Sequence, residues 1–309
     1  MKKLIIILLA ICSVQMAQAQ DYSVFSHYHI SPVLINPAAA GFNDNHEILM
    51  NLRNQWTGFP GAPKSYGVTY NGAFGNNLGL GVGVLSDNIG PISRMKLKLD
   101  YAFHMDINKL RMATGLTTEF SSNRLASSVL SNPLQEDGDV LIMDGVDGIN
   151  VFDAAFGFYG TYDKQTRFGL SFPNLIVKVI GDIEDGGEAE GSLFGYYTMF
   201  VSHEHKVRNY GFTIEPSMMI RKVYNVPFQI DFNVLAGFLD KRFMTGLSYR
   251  SGVGGALGLM LGTELYGFKV FYSYDVSFAN FQQYNNGTHE ITVGFDFKRP
   301  DVDYSKRNK

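Results

Sequence analysis

Residues able to do chemistry are thinly spread along this chain, and none stands in a spacing that a reaction demands. His203-Glu204-His205 places two imidazoles at i and i+2, whereas the zinc-hydrolase helix needs them at i and i+4. The tripeptide is expected in a solvated turn between two strands, not around a metal. Asp137, Asp139, Asp144 and Asp147 lack the ligand spacing of an EF-hand loop. They read as a solvated acidic loop, with weak surface calcium binding as the competing reading, and 182–190 reads the same way. No G-x-S-x-G nucleophile turn is present, and His289-Glu290 is expected to make a contact at a rim. No catalytic residue, metal site or cofactor is expected from these patterns.

The charges that repeat in register with the backbone are more telling. In 94–106, Met95, Leu97, Leu99, Tyr101, Phe103 and Met105 alternate with Arg94, Lys96, Lys98, Asp100, Ala102, His104 and Asp106. Segments 109–120 and 267–278 repeat the pattern. A period of two sustained over this length makes a strand with one apolar and one polar face. Soluble strands usually stop at about five or six residues; strands of about ten with an apolar outer face suit an outer-membrane barrel. A large two-sheet sandwich is the soluble alternative. In the barrel, Arg53, Lys96, Lys98, Asp100, Arg111, Glu119, Asp231, Lys269, Asp275, Glu290 and Asp296 all face the lumen. Both signs are present, so they either line a conducting pore or pair and close it; the paired interior is favoured because unpaired buried charge is costly.

Strands are predicted at 47–56, 65–74, 77–87, 93–106, 109–120, 152–161, 166–172, 192–203, 210–221, 228–236, 241–249, 254–265, 268–278 and 288–297. The resulting architecture is all-β: a transmembrane outer-membrane β-barrel of about 14 antiparallel strands, the even number expected of bacterial single-chain barrels. Every second connection is short, and the longest, 121–151 and 173–191, fall in the other set. Short turns on the periplasmic side and long loops outside are the habit of such barrels. The last strand ends on Phe297, like the terminal signal of outer-membrane barrels.

Ahead of the barrel, Lys2 and Lys3, the apolar run 4–14 and Ala17-Gln18-Ala19 have the make-up of a cleaved signal peptide, 1–19. The only cysteine, Cys12, lies within it, so the exported chain is expected to carry no thiol. Its removal takes the formal charge from −3 to −5, through the loss of two lysines, which gives no bulk attraction for nucleic acid. Residues 20–46 are expected as a periplasmic N-terminal segment, 47–297 as the barrel and 298–309 as a polar tail.

Two Pro/Gly-rich pieces flank the first strand. Asn36-Pro37-Ala38-Ala39-Ala40-Gly41 reads as a capped helical turn: Asn36 at the N-cap, Pro37 at the first position and Gly41 as the left-handed exit. The second, 56–64, reads as a stiff outer loop containing Pro60 and Pro63, with Trp56 near the lipid–water boundary. Asn36, Pro37, Gly41, Arg53, Trp56 and Pro63 are the candidate partner-contact or plug residues.

The same pieces carry a resemblance. Phe25–Tyr28, then Pro32 to Gly41, Arg53-Asn54-Gln55-Trp56 with Gly61-Ala62-Pro63, Gly246 to Arg250, Tyr272 to Asp275 and Thr288 to Ile291 resemble the PorP/SprF family. That family comprises outer-membrane proteins of the Bacteroidetes type IX secretion system, gliding-motility components among them. The resemblance implies an integral outer-membrane component in contact with lipid. It also implies a periplasmic peptidoglycan-binding lipoprotein, the periplasmic ring of the secretion system and secreted surface proteins such as adhesins as partners. A passive outer-membrane channel or small-solute transporter is the alternative function.

Overall fold

Long two-faced strands have one way to satisfy every backbone hydrogen bond beside lipid, which is to close on themselves. The chain does this. The computed structural model describes residues 25–131, 140–180, 195–207, 211–223, 226–252 and 255–298. Its strands are β1 Asn45–Asn54, β2 Lys64–Phe74, β3 Leu78–Ile89, β4 Ile92–Ile107, β5 Leu110–Leu125, β6 Ile149–Tyr162, β7 Thr166–Phe172 and β8 Lys178–Ile180. They continue as β9 Tyr197–His203, β10 His205–Val207, β11 Phe212–Lys222, β12 Gln229–Phe238, β13 Phe243–Ser251, β14 Ala256–Leu265, β15 Phe268–Ser277 and β16 Thr288–Lys298. All pairings are antiparallel between neighbours, and β16 pairs with β1 to close the ring. β7 and β8 follow one another along β6, and β9 and β10 along β11. The sixteen segments therefore form a closed barrel of fourteen strands, as the alternation and the loop parity predict.

The faces sort as the period-two pattern requires. Met50 and Leu52 of β1, Leu97 and Phe103 of β4, and Leu259 and Leu261 of β14 are exposed on the outer wall. Asn51, Arg53, Asp100, Lys269, Asp275 and Glu290 point inward and are buried. Among the described residues no helix is long and apolar enough to cross a membrane; the wall is made of strands. At one end the connections are short. Tyr266 and Gly267, at φ +53° and +85°, join β14 to β15, the left-handed pair that a two-residue hairpin demands. In outer-membrane barrels the short-turn end is periplasmic.

Three expectations need correction. His203 and His205 are not in a turn: they end β9 and begin β10, which continue one another in register along β11. There His203 Nδ1 lies 2.9 Å from Thr166 Oγ1 on β7, and Glu204 pairs with Lys241 in the turn between β12 and β13. The connection predicted from 173 holds a further strand piece, β8, set off from β7 by a bend in which Asn174 adopts φ +57°. The loop 121–151 is not all irregular, since a short α-helix, Val140–Asp147, contains Asp144 and Asp147. Asp137, Asp139 and 182–190 lie outside the described residues, as do the expected signal peptide, 1–19, and the expected tail beyond 298. The largest departure lies inside the barrel.

Candidate functional site

The N-terminal segment, expected on the periplasmic side, is threaded through the lumen. From Phe25 to Phe42 it makes three short 3-10 turns, Ser26–His29, Pro32–Leu34 and Pro37–Ala39. His27, Ala38 and Ala40 are wholly buried, each with 0% exposure. Its main-chain groups are satisfied partly by its own turns, as in Ile30 N to His27 O at 3.0 Å and Ala40 N to Pro37 O at 3.1 Å, and partly by inward side chains of the wall.

At the long-loop end the anchor is Glu290. Its carboxylate accepts from the backbone N–H of Ser26 at 2.8 Å and of His27 at 3.3 Å. It also accepts from Asn51 Nδ2 at 2.9 Å and from Arg53 Nη1 at 2.6 Å. Arg53 donates in turn to Ser26 Oγ at 2.7 Å, and Arg250 reaches the same hydroxyl at 3.1 Å while bonding Asp231. Glu290 is therefore no rim contact; it is fully buried and organises the entrance of the segment. Lower down, Asn233 donates to the Tyr28 hydroxyl at 2.6 Å, and the Tyr28 ring packs edge-on against Phe200.

At the short-turn end the anchor is the Asn36–Gly41 turn, and its local geometry follows the sequence. Asn36 Oδ1 accepts from Ala38 N at 3.0 Å, Pro37 opens the turn, and Gly41 leaves it at φ +62°. The other end of the Asn36 amide bridges two wall carbonyls, Phe158 O at 2.7 Å and Leu170 O at 3.3 Å. Those residues are directly opposite one another on β6 and β7. His104 Nε2 contacts Ala40 O at 2.9 Å, and Asn71 Oδ1 accepts from Gly41 N at 3.0 Å.

The turn fits because a band of the wall beneath it carries glycine or alanine in place of larger side chains. Gly79, Ala102, Gly115 and Gly157 are successive cross-strand partners on β3, β4, β5 and β6. A Cβ on Gly115 would lie 2.6 Å from Ala38 Cα, and one on Gly79 would lie 2.8 Å from the Ala40 carbonyl carbon. One on Gly157 would lie 3.1 Å from Pro37 Cδ. This band of small residues is a slot the width of one main chain. The turn stands among the plug or partner-contact candidates of the sequence; the slot that receives it does not, although the signal was there. Glycines recur at inward positions of neighbouring strands, where the pattern elsewhere places polar side chains.

The remaining sequence candidates fall in two places. Asn36, Pro37, Gly41 and Arg53 all lie inside the lumen, Arg53 at the Ser26 end of the threaded segment and the other three at its opposite end. Trp56 and Pro63 do not join them; they lie in the loop between β1 and β2. Gln55 N donates to Pro63 O at 2.9 Å, Trp56 N to Thr288 Oγ1 at 3.2 Å, and Thr57 N to Gly287 O at 2.8 Å. Gly90 N donates to Gly61 O at 2.9 Å, so this loop is tied to the β3–β4 and β15–β16 connections.

The inward charges are neutralised in groups. Lys96 pairs with Glu119, Lys98 with Asp100, Arg111 with Asp44, and Lys269 with both Glu47 and Asp296. Arg53 and Arg250 share Asp275, and Arg250 also holds Asp231. Outside the membrane-spanning strands, Asp163 bonds Lys109 at 3.0 Å between two short turns and raises its ammonium pKa. Among the described residues, no group of three or more His, Cys, Asp or Glu is placed to hold a metal ion. The arrangement occupies a lumen and pairs its inward charges.

The profile of the type IX secretion system membrane protein family PorP/SprF matches residues 17–295. No curated protein matches the chain in sequence. Among solved structures, the CymD monoaromatic hydrocarbon channel is similar at 13% identity and TM-score 0.54, over 90% of this chain and 94% of that one. The Ralstonia pickettii toluene transporter TbuX is similar at 9% identity and TM-score 0.51, over 87% of this chain and 93% of that one. At such identities the likeness is one of fold: an outer-membrane barrel.

Proposed function

Since the chain belongs to the PorP/SprF family of type IX secretion system membrane proteins, we propose that it works as a closed barrel. In this reading it anchors or couples the secretion machinery, and the surface proteins the machinery exports, to the outer membrane. It acts through protein–protein contacts and not by passing solutes. The observation that carries this reading is the occupied lumen. Residues 25–42 run through it and are largely buried there, and inward charges of both signs pair with one another. The partners are a periplasmic peptidoglycan-binding lipoprotein and the periplasmic ring on one side, and gliding-type adhesins on the other. A cleaved signal peptide, 1–19, delivers the chain, and no residue is proposed as catalytic.

A passive channel is the second reading, favoured by the fold shared with a hydrocarbon channel and a toluene transporter. Purification from detergent-solubilised membranes, with mass spectrometry of what co-purifies, separates the two. Secretion-system components in the eluate support coupling. Recovery of the barrel without any of them counts against it.

A further inference from the structure

We propose that the lumen is a recognition site for a polypeptide turn of the class Asn-Pro-small-small-small-Gly. The chain's own residues 36–41 occupy it in cis, and a partner polypeptide presenting the same turn can take it in trans. Two independent features of the wall point this way. The first is the slot: Gly79, Ala102, Gly115 and Gly157 stand side by side across four strands, and methyl groups on Gly79 and Gly115 would collide with the seated backbone. A wall needed only for a barrel would carry ordinary side chains there, because glycine weakens strands.

The second feature is what the wall reads. Lys98 Nζ donates to Val33 O at 3.2 Å, Ser171 Oγ to Ile35 O at 2.8 Å, and Arg167 Nη1 to His29 O at 3.0 Å. These side chains recognise main-chain carbonyls, which every polypeptide has. Within the turn, side-chain selectivity falls on Asn36, whose amide is bonded on both edges, and on the buried positions 38–40; ahead of it, Ser31 Oγ donates to Glu47 at 2.8 Å and Asn233 donates to the Tyr28 hydroxyl at 2.6 Å. Main-chain bonding for affinity and a few pockets for selectivity is how peptide-binding sites are generally built. Tethering gives the resident turn an effective concentration in the millimolar range, so a competitor succeeds only when the resident is drawn out.

The inference rests on the secretion reading only for where the competing chain comes from; the site itself is tested separately. A protease site is inserted between Asn43 and Asp44, which are exposed where the segment leaves the lumen. The full chain is folded into detergent micelles and then cut, which turns the resident segment into a ligand held without a tether. The probe is a fluorescent synthetic peptide of residues 31–43. The cut barrel is expected to keep its fragment through gel filtration, exchange it for the probe, and refuse a probe carrying Ala38→Arg. Uncut barrel is expected to take up neither. Loss of the fragment without uptake of the probe overturns the proposal, and so does equal uptake of the Ala38→Arg probe. If the insertion blocks folding, the uncut Ala38→Arg chain, whose own turn cannot enter the slot, becomes the acceptor. Its failure to bind the unmodified probe overturns the proposal equally. Probe uptake by a barrel that captures no secretion component would leave the site standing and sink the secretion reading.

Discussion

Arg53 Nη1 lies 2.6 Å from Glu290 Oε2, and the two residues are directly opposite each other on β1 and β16, the strands that close the barrel. Both are almost completely buried, at 3% and 0% side-chain exposure. The pair thus joins the barrel's seam to the start of the lumenal segment through Ser26. Removing one partner of a buried pair leaves an uncompensated charge, at a cost of about 3–5 kcal/mol. Glu290→Ala is expected to lose stability in that range, read as a fall in the Tm of the detergent-solubilised barrel. Arg53→Met combined with Glu290→Leu is expected to lose less than either single change.

Gly115→Val separates the barrel from its contents. Valine suits a strand, so the wall is expected to persist as a heat-modifiable band on gels. Its side chain occupies the place of Ala38, so the Asn36–Gly41 turn is expected to be expelled and ion conductance to rise. Thr118→Val in the same strand leaves that slot untouched and is expected to leave conductance at the wild-type level.

Pro37 and Gly41 distinguish a closure from a docking element. Gly41 adopts φ +62°, and a Cβ there would lie 2.6 Å from the Gly72 carbonyl carbon. If the turn closes the lumen, Pro37→Ala with Gly41→Val raises single-channel conductance. A change that left conductance alone and lost a co-purifying partner would assign the turn to docking instead.

Two polar contacts of the segment should differ in weight. Arg111 grips Asp44 through two bonds, at 2.5 and 2.6 Å, but the Asp44 side chain is 60% exposed. Water screens such a pair, so Asp44→Asn is expected to change stability by about 1 kcal/mol or less. Asn36→Ala deletes three bonds in a buried setting and leaves wall carbonyls without their donor. That is expected to cost about 1–3 kcal/mol, measured for both variants as the fall in Tm of the detergent-solubilised barrel.

The wall was more legible in the sequence than its contents. Alternation in 94–106 fixes which face of β4 meets lipid, because a one-residue slip would turn every side chain over. Parity of loop lengths then orders the strands. The capped turn at Asn36 was equally plain, since Asn, Pro and Gly each impose a local geometry. Its location was not, because nothing local tells a turn that enters a lumen from one that stays outside it. Gly79, Gly115 and Gly157 become meaningful only when cross-strand register places them side by side. His203-Glu204-His205 misled for a related reason: a run of polar residues where one strand segment passes into the next reads like a turn.

The central claim is that the chain's own residues 25–42 close this barrel. The most direct test is the conductance of the purified wild-type protein in a planar lipid bilayer, beside a variant lacking 25–42. Near-baseline current from the wild type, and a large steady conductance from the deletion, is the expected result. A large steady conductance from the intact wild-type barrel would contradict it.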